Sequence, residues 1–481
     1  MSLRWELLRG RNDSFFMIRS IRDSPPSAAP KSTPRSYRAQ GVVHRLHSVA
    51  GVFVAPLLLV AALTGLLYAV APTLETWIYR DALTAESGLP PQPVADQITR
   101  AKEVHPDMDL SAVQVSEDPR ATTRVLFSDP SLTSSSYRRA VFIDPGSLEV
   151  KGDMVQYGSS RSLPLRSWIA EGHRRLWLGD VGRIYSETAA SWLGAISIAG
   201  AVVWWSRRSH RSATSSSRQR LSRKHTTLGL WLLPGFVFLT ITGLTWSLVA
   251  GTNISAFRSQ LNWVEPKPAV SITNTELHDA TADHSVHTHH EAVSGASISD
   301  PAQADTVIAA AREAGLTGMI DVNVPPDTDS GWVVKESREA WKLANDAVSV
   351  NGETSAVIDT VEFSQWPLAA KLSVWLIQLH MGTLFGWINQ LILAVIAFGL
   401  IIMICWGYVM WWRRGRGYKP GRLPAAGQWR KASPVARGMI VILLVAYSIL
   451  APLFGISLIV FVVLDALYQQ LRHRLMMPLT R

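Results

Sequence analysis

The sequence of 481 residues contains a single cysteine, Cys405, and only 17% charged residues. One cysteine excludes a disulfide framework and any zinc or iron–sulfur site built on cysteines. Soluble domains carry roughly 25% charged residues, so the low charge argues against a wholly soluble enzyme. The hydrophobic share of 47% excludes a mostly disordered chain. No phosphate loop, dinucleotide-binding fingerprint or HExxH zinc motif is found in the sequence.

Long apolar stretches are abundant. Five stretches lack Asp, Glu, Lys and Arg, and each is near or above the roughly 20 residues that a helix needs to cross a bilayer. They are residues 48–74, 188–206, 226–257, 372–412 and 438–464. The start of the fourth stretch is predicted to be amphipathic and to lie outside the membrane. The fifth contains Ala451-Pro452, which fits either one kinked helix or a hairpin of two short helices.

The net charge of +10, taken alone, suggests a nucleic-acid-binding protein. Its distribution indicates otherwise. Segments 1–47, 207–224 and 413–437 carry nine, seven and eight basic residues, with acidic residues only in the first. By the positive-inside rule these segments are predicted to be cytoplasmic, and the net-negative segments 75–187 and 251–371 periplasmic. The charge therefore predicts orientation in a bacterial inner membrane, with the N-terminus cytoplasmic, and no nucleic-acid partner is expected.

Self-comparison shows an internal duplication. His47 and His225 are each followed at equal offsets by Gly, Pro and a Thr-Gly pair, and they lie 178 residues apart. His173 and His380 are each followed at equal offsets by Gly and a Trp pair, and they lie 207 residues apart. The two halves are therefore predicted to have the same plan, in which a helix, an outer α+β unit and a second helix follow one another.

The outer units are predicted from alternating polarity and turn residues. The predicted helices are 94–104 and 302–314. The predicted strands are 113–116, 123–128, 137–144 and 148–151 in the first unit, and 319–324, 332–335, 347–350 and 356–361 in the second.

Four histidines occupy repeat-related positions: His47, His173, His225 and His380. Neutral imidazole binds haem iron, and a six-coordinate haem needs two imidazoles at one height on facing helices. The positions predict one haem b between His47 and His225 near the cytoplasmic face. They predict a second haem b between His173 and His380 near the outer face. His44, one turn before His47, is an alternative ligand.

The second helix of each half needs a break. A straight helix from His173 to Trp205 would be about 48 Å long, which exceeds the roughly 30 Å hydrocarbon core. The glycines at 179 and 182 are the expected break in the first half, and Gly382 and Gly386 in the second. Each histidine of this pair is then expected on a short segment at the outer membrane surface.

Other polar residues near the histidines have two explanations each. Four basic residues are candidate contacts of the haem propionates, and snorkelling to the interface explains them equally well: Arg45, Arg174, Arg175 and Lys224. The repeated Thr64-Gly65 and Thr242-Gly243 favour close helix packing or the approach of a flat macrocycle. A His-rich tract suits Fe, Cu or Zn binding, with a solvated loop as the preferred interpretation: His284, His287, His289 and His290.

The residues around these histidines resemble the PepSY-associated transmembrane proteins. The first motif is Arg45-Leu46-His47 with segments 50–56 and 62–68, and the second is Gly182-Arg183 with segment 187–192. The third is segment 243–247, and the fourth is His380-Met381-Gly382 with Phe385-Gly386 and Asn389-Gln390. The resemblance covers about residues 38–470. The family is described as iron-regulated inner-membrane proteins, and some members are ferric-siderophore reductases with two b haems.

The resemblance implies a function. It implies that the four histidines are axial ligands and that the outer units are PepSY-type domains. A cytoplasmic reductase or a quinol would supply electrons. A ferric siderophore or other ferric chelate, held between the outer domains, would be reduced. One alternative is a PepSY-type peptide-binding or protease-regulating membrane protein, and another is a metal-transport accessory protein that uses the His-rich tract.

The predicted fold class is a membrane all-α core with two α+β PepSY-like periplasmic domains. The core is a duplicated four-helix bundle plus a C-terminal helix or helical hairpin. The predicted segments are a flexible cytoplasmic arm (1–40), TM helix 1 (41–74), PepSY-like domain 1 (75–165), an amphipathic segment and TM helix 2 (166–206), a basic loop (207–224), TM helix 3 (225–250), a linker with the His-rich tract (251–300), PepSY-like domain 2 (301–371), an amphipathic segment and TM helix 4 (372–412), a second basic loop (413–437), the C-terminal helix or hairpin (438–471) and a tail (472–481).

Overall fold

The computed structural model describes residues 36–208, 217–272, 301–415, 421, 423–425 and 427–476. The helices in this part of the chain are α1 (Ser36–Phe53), α2 (Ala55–Ile78), α3 (Arg80–Leu83), α4 (Val94–Val104), α5 (Pro164–Arg175), α6 (Gly179–Arg207), α7 (Ser217–Thr245), α8 (Ala250–Gln260), α9 (Ala302–Glu313), α10 (Leu368–Met381), α11 (Gly386–Trp412), α12 (Gln428–Lys431), α13 (Pro434–Leu450) and α14 (Pro452–Met476). The strands are β1 (Asp109–Val115), β2 (Thr123–Ser128), β3 (Tyr137–Ile143), β4 (Val150–Tyr157), β5 (Ile320–Asn323), β6 (Trp332–Glu336), β7 (Ala347–Val350) and β8 (Val357–Val361).

Within the described residues, five helices are long and apolar enough to cross a bilayer: α2, α6, α7, α11 and residues 452–471 of α14. The protein is therefore a multi-pass membrane protein. Helix α2 packs against α11, and α6 packs against α7. The shared core of the bundle includes Trp192 of α6, Phe236 of α7 and Ile396 of α11.

A break occurs in each half, as predicted, but the first one lies at residues 176–178, just before the glycines expected to form it, which belong to α6. Helix α5 ends at Arg175, and the left-handed conformations of Leu176 and Trp177 turn the chain before α6 begins. A Cβ on Gly182 would lie 1.6 Å from the carbonyl oxygen of Arg175, so only glycine permits this close return. In the second half, α10 ends at Gly382, whose φ of 75° suits glycine. Each short helix therefore carries its histidine beside the bundle and outside the spans.

The last apolar stretch forms a hairpin of two helices, α13 and α14, which pack against each other. Pro452 follows Ala451 at the turn, where a residue without an N–H cannot continue the preceding helix. The hairpin is held to α6 by Trp192, whose indole N–H donates to Ser457 at 2.9 Å. The hydroxyl of Tyr447 donates to the carbonyl of Ser191 at 2.7 Å. Between the two structures left open by the sequence, the hairpin is the one formed.

The strands form a single antiparallel sheet with the order β4-β3-β2-β1-β5-β6-β7-β8. The two four-stranded units meet at β1 and β5, where Val113 pairs with Val322. The sequence predicts the two units but not their common sheet. Since β1 and β5 are hydrogen-bonded edge to edge, the two units share one sheet and leave no cleft along that edge. The position of a bound chelate stays a prediction.

The two faces of the sheet differ. One face packs against α4 and α9 through an apolar core that includes Phe127, Ile143 and Trp332. The other face contacts the end of the bundle through Ala82 of α3 and Leu163, which precedes α5. The carboxylate of Glu75 in α2 accepts a hydrogen bond from the backbone N–H of Leu163 at 2.6 Å. We call this second face the bundle-facing side.

Candidate functional site

His47 of α1 and His225 of α7 lie together at the end of the bundle opposite the sheet. Their ring centres are 6.4 Å apart and their planes meet at 71°. They face each other from helices of different halves of the chain, as equivalent residues of a duplicated bundle do. Both side chains are half-buried. We call them the inner pair.

The backbone of the neighbouring helix orients each imidazole of the inner pair. Nδ1 of His47 lies 3.0 Å from the carbonyl oxygen of Ile196, which can only accept a hydrogen bond. A neutral His47 therefore carries its proton on Nδ1 and leaves Nε2 as a free lone pair. His225 faces the backbone of Met403, which lies 207 residues after Ile196. Among the described residues, Nδ1 of His225 forms no hydrogen bond of normal geometry.

The outer pair is His173 of α5 and His380 of α10. Nδ1 of His173 lies 3.0 Å from the hydroxyl oxygen of Thr64, and Nδ1 of His380 lies 2.6 Å from that of Thr242. The two threonines are 178 residues apart in the sequence. Their pairing with the histidines was not anticipated from the sequence, which favoured a packing role for the Thr-Gly motifs.

The threonines also set the tautomer of the outer pair. The hydroxyl of Thr64 donates to the carbonyl of Val60 at 2.9 Å, and that of Thr242 donates to Phe238 at 2.7 Å. Because each hydroxyl proton is already used, each threonine oxygen accepts from an Nδ1–H. The lone pair of both outer imidazoles is thereby on Nε2. An Nδ1–H held by a neighbouring acceptor is the usual arrangement of a metal-binding histidine.

Burial keeps the outer histidines neutral. It lowers the pKa of His173 to about 4, with a further lowering by the charge of Arg174. Burial likewise lowers the pKa of His380 to about 4, with a smaller effect from His173. At neutral pH both imidazoles are thus uncharged and have a free nitrogen for a ligand bond.

Aromatic side chains enclose the outer pair in matching positions. Tyr68 stacks against His173 with ring centres 6.1 Å apart and planes only 7° from parallel. Trp246, which lies 178 residues after Tyr68, meets His380 edge-on at 6.4 Å. These rings form an apolar wall beside each imidazole.

The ring separation of the inner pair equals that expected for two imidazoles bound to one iron. A histidine nitrogen lies about 2 Å from a bound metal, so two imidazoles on opposite sides of one iron place their ring centres roughly 6.3 Å apart. The observed separation is 6.4 Å. Haem needs only two protein ligands. In the described part of the chain, no group of three or more His, Cys, Asp or Glu is arranged to hold a metal ion.

Three other predicted site residues lie close in sequence to the inner pair: Arg45, His44 and Lys224. Arg45 donates to both carboxylate oxygens of Asp465, at 2.6 and 2.7 Å, and to the carbonyl of Pro424. His44 is half-buried on the same helix, and Lys224 is exposed next to His225. The contact between Arg45 and Asp465, 420 residues away in sequence, had no sequence signal.

Arg174 and Arg175 lie next to the outer pair. Arg174 donates to the hydroxyl of Tyr157 at 3.0 Å and to Glu171 at 2.6 Å, and Arg175 lies 3.6 Å from the same glutamate. The His-rich tract lies outside the described residues: His284, His287, His289 and His290.

Several motif residues of the bundle hold the helices around the site. The buried carboxylate of Glu187 accepts from the backbone N–H groups of Val249 and Ala250 at the start of α8. Asn389 donates to the carbonyl of Leu379, beside His380, at 2.8 Å. These contacts fix the short helices and connecting turns relative to the spans.

The fold and the site define a multi-pass membrane protein with two repeat-related pairs of histidines and one antiparallel sheet. The family model of the PepSY-associated TM region matches residues 44–414, and the chain belongs to this family. The matched region contains all four histidines and ends before the α13–α14 hairpin. A search of curated proteins finds no match.

Proposed function

We propose that this protein is an inner-membrane di-haem b electron-transfer protein that reduces ferric chelates, such as ferric siderophores, on the periplasmic side. The observation that carries the proposal is the Nδ1 contacts of His47, His173 and His380, which leave Nε2 of each imidazole free. Histidines with a structural role in a core do not need a shared tautomer at repeat-related positions. A histidine that binds a metal almost always donates its other ring N–H to a neighbouring acceptor, which fixes its tautomer.

The four histidines would bind two b haems, His47 with His225 and His173 with His380. When bound, these groups would supply one-electron transfer. The protein residues orient the ligands and exclude water from them. Thr64 and Thr242 hold the outer imidazoles at Nδ1, and the carbonyl of Ile196 holds His47.

The two pairs lie at a separation suited to crossing the membrane. Thr64, which contacts the outer pair, lies 17 residues after His47 of the inner pair. At 1.5 Å per residue this is roughly 25 Å along the consecutive helices α1 and α2. The inner pair adjoins the basic loops, which we propose to be cytoplasmic, and the outer pair adjoins the sheet. The pairs therefore span most of the roughly 30 Å hydrocarbon core.

The electron balance is simple. A quinol or a cytoplasmic reductase supplies two electrons at the inner side, and a quinol releases two protons as it is oxidised. Each electron reduces one Fe(III) to Fe(II) at the outer side, so two ferric chelates are reduced per donor. Iron is released because the hard oxygen ligands of siderophores bind Fe(II) less tightly than Fe(III).

The test is anaerobic iron reduction by the purified, dithionite-reduced full-length protein, with Fe(II) trapped by ferrozine after excess dithionite is removed. We expect about one Fe(II) per electron stored in the wild-type protein. His173→Ala and His380→Ala should abolish this transfer. His105→Ala is the matched control, because His105 pairs with Asp153 at 3.0 Å and lies away from both pairs. Equal yields from all these proteins would overturn the proposal.

A further inference from the structure

The bundle-facing side of the sheet carries a row of polar residues. In the antiparallel register Arg124 is beside Gln114, Gln114 is beside Asp321, and Asp321 is beside Lys335. Directly paired residues point to the same face. The row crosses from one unit of the sheet to the other, where the amide of Gln114 donates to Asp321 at 2.5 Å. Covered sheet faces are normally apolar, so a row of polar residues here indicates a candidate binding site.

Three arginines on this side contact no carboxylate in the described part of the chain. Arg124 donates to the amide oxygen of Gln156 at 2.9 Å, while its Nε is buried without a partner. Arg161 donates to the carbonyl of Arg338 at 3.1 Å. Arg138 has no hydrogen bond or ion pair from its side chain among the described residues, and it lies opposite Gln156 in the register. We call Arg124, Arg138 and Arg161 the arginine group.

The other cations nearby are already paired. Arg166 lies 3.4 Å from Glu75, and Lys335 and Arg338 both contact Glu265. These ion pairs use the carboxylates that are closest to them. Asp321 is occupied by hydrogen bonds from Gln114 and from the hydroxyl of Ser337, at 2.7 Å for the latter. Among the residues that the structure describes, positive charge therefore exceeds negative charge on this side of the sheet.

This excess is electrostatically costly. Burial holds the pKa of Arg124 below its usual value, and the neighbouring charge of Arg161 lowers it further. Burial also lowers the pKa of Arg138, which the charge of Asp321 only partly offsets. All three arginines nevertheless keep some accessible surface. They are partly exposed cations in a largely enclosed setting, where an opposite charge would be favourable.

The arginine group lies on the side of the sheet that packs against α5, the helix of His173. Arg124 lies within electrostatic range of Glu75 and Arg166. Arg166 lies within the same range of Tyr68, which stacks against His173. A ligand on the arginine group would thus lie on the side of the sheet that contacts the end of the bundle near the outer pair.

We propose that Arg124, Arg138 and Arg161 bind the carboxylate groups of an anionic ferric chelate on the bundle-facing side of the sheet. The inference rests on the proposed function and names the charge class of its substrate. The guanidinium fork matches a carboxylate with two parallel hydrogen bonds, which a neutral chelate cannot accept in the same way. This site lies on a face of the shared sheet, because β1 and β5 are joined and leave no cleft between the two units.

A neighbouring surface pocket is not the anion site. It has a volume of about 310 Å³ and is lined by Arg138 but also by Asp107, Asp109 and Asp129. Its three carboxylates would repel a carboxylate ligand. The carboxylate ligand is therefore assigned to the arginine group and not to this pocket.

The test is equilibrium binding of gallium(III) citrate to the full-length protein by calorimetry. Gallium(III) is not reduced, so binding is measured apart from electron transfer. Arg124→Gln and Arg138→Gln should each weaken binding roughly tenfold or more. Arg124→Lys keeps the charge and should lose less. Arg120→Gln removes the same charge from a side chain that is 82% exposed, and it should bind as the wild type does.

Reoxidation of the reduced protein then compares ferric citrate with neutral ferric tris-maltolate. We expect Arg124→Gln and Arg138→Gln to raise the half-saturating concentration of ferric citrate alone. Equal effects on both chelates, or no effect on gallium citrate binding, would overturn the inference. A change in haem content or midpoint potential without a change in citrate binding would also overturn it, because the arginines then hold haem propionates. If neither chelate reoxidises the wild type, the proposed function fails, and gallium citrate binding still decides the anion site.

Discussion

Thr64 and His173 are joined by a hydrogen bond of 3.0 Å between the threonine oxygen and Nδ1 of the imidazole. The same contact recurs between Thr242 and His380 at 2.6 Å. Each threonine is 17 residues after a histidine of the inner pair. In the first half His47 lies on α1 and Thr64 on α2, whereas in the second half His225 and Thr242 both lie on α7. The equivalent segment of each half therefore supplies one inner candidate ligand and orients one outer candidate ligand.

Removing the threonine hydroxyl should weaken the outer site. Thr64→Val and Thr242→Val keep the side-chain shape but leave Nδ1 without its acceptor. Loss of such a supporting contact typically costs about 10–100-fold in metal affinity. We expect lower haem occupancy in each valine variant and near-normal occupancy in Thr64→Ser. Full occupancy and an unchanged midpoint potential in both valine variants would contradict this role.

A methyl group at position 200 should displace an inner ligand. A Cβ on Gly200 would lie 3.0 Å from Cε1 of His47, which is too close for an undisturbed imidazole. The repeat-related Gly407 has nothing within 4 Å of an added Cβ and is the matched control. Gly200→Ala should therefore lower inner-site haem occupancy, as measured by the absorption spectrum, whereas Gly407→Ala should not. Identical spectra for both variants would be inconsistent with His47 as a ligand in this position.

The sequence indicates local structure better than distant pairing. The strand predicted at 123–128 and the helix predicted at 94–104 match β2 and α4. Both follow from patterns within a few residues. The pairing of Val113 with Val322 joins residues 209 apart, and no periodicity within either strand selects its partner. The four histidines were found because duplication repeats a spacing. The acceptor at Ile196 is a backbone carbonyl and has no residue-type signal at all.

The ion pair of Arg45 and Asp465 should stabilise the docking of α14. Their side chains are 17% and 24% exposed, so water screens the pair only partly. Asp465→Asn should lower the apparent Tm in detergent by about 2–6 °C. Arg45→Gln should do the same, and the double variant should lose less than the sum of the two. If Arg45→Gln lowers haem content while Asp465→Asn changes nothing, Arg45 serves a haem propionate instead.

Asp144 should make the outer sheet sensitive to acid. Burial alone would raise its pKa, but hydrogen bonds from Ser87, Ser147 and the backbone of Glu86 outweigh this effect and hold the pKa well below its usual range. A depressed pKa contributes stability above the unfolded value of about 4, and this stability is lost as the pH falls. Asn351, 207 residues later, accepts equivalent turn contacts without a charge.

The measurement for Asp144 is the thermal unfolding of the wild type and Asp144→Asn from pH 7 to pH 3. The variant should be less stable at pH 7 by roughly 1–3 kcal/mol. The difference should shrink as the pH approaches 3. A constant difference over this range would show that the charge of Asp144 contributes nothing.

The central claim is that the four histidines form two haem sites. Its most direct test is the number of b haems per chain, measured by pyridine haemochrome in protein purified from haem-replete cells, for the wild type and the four single His→Ala variants. The account predicts two haems in the wild type and about one in each of His47→Ala, His173→Ala, His225→Ala and His380→Ala. A wild-type protein without b haem would contradict it.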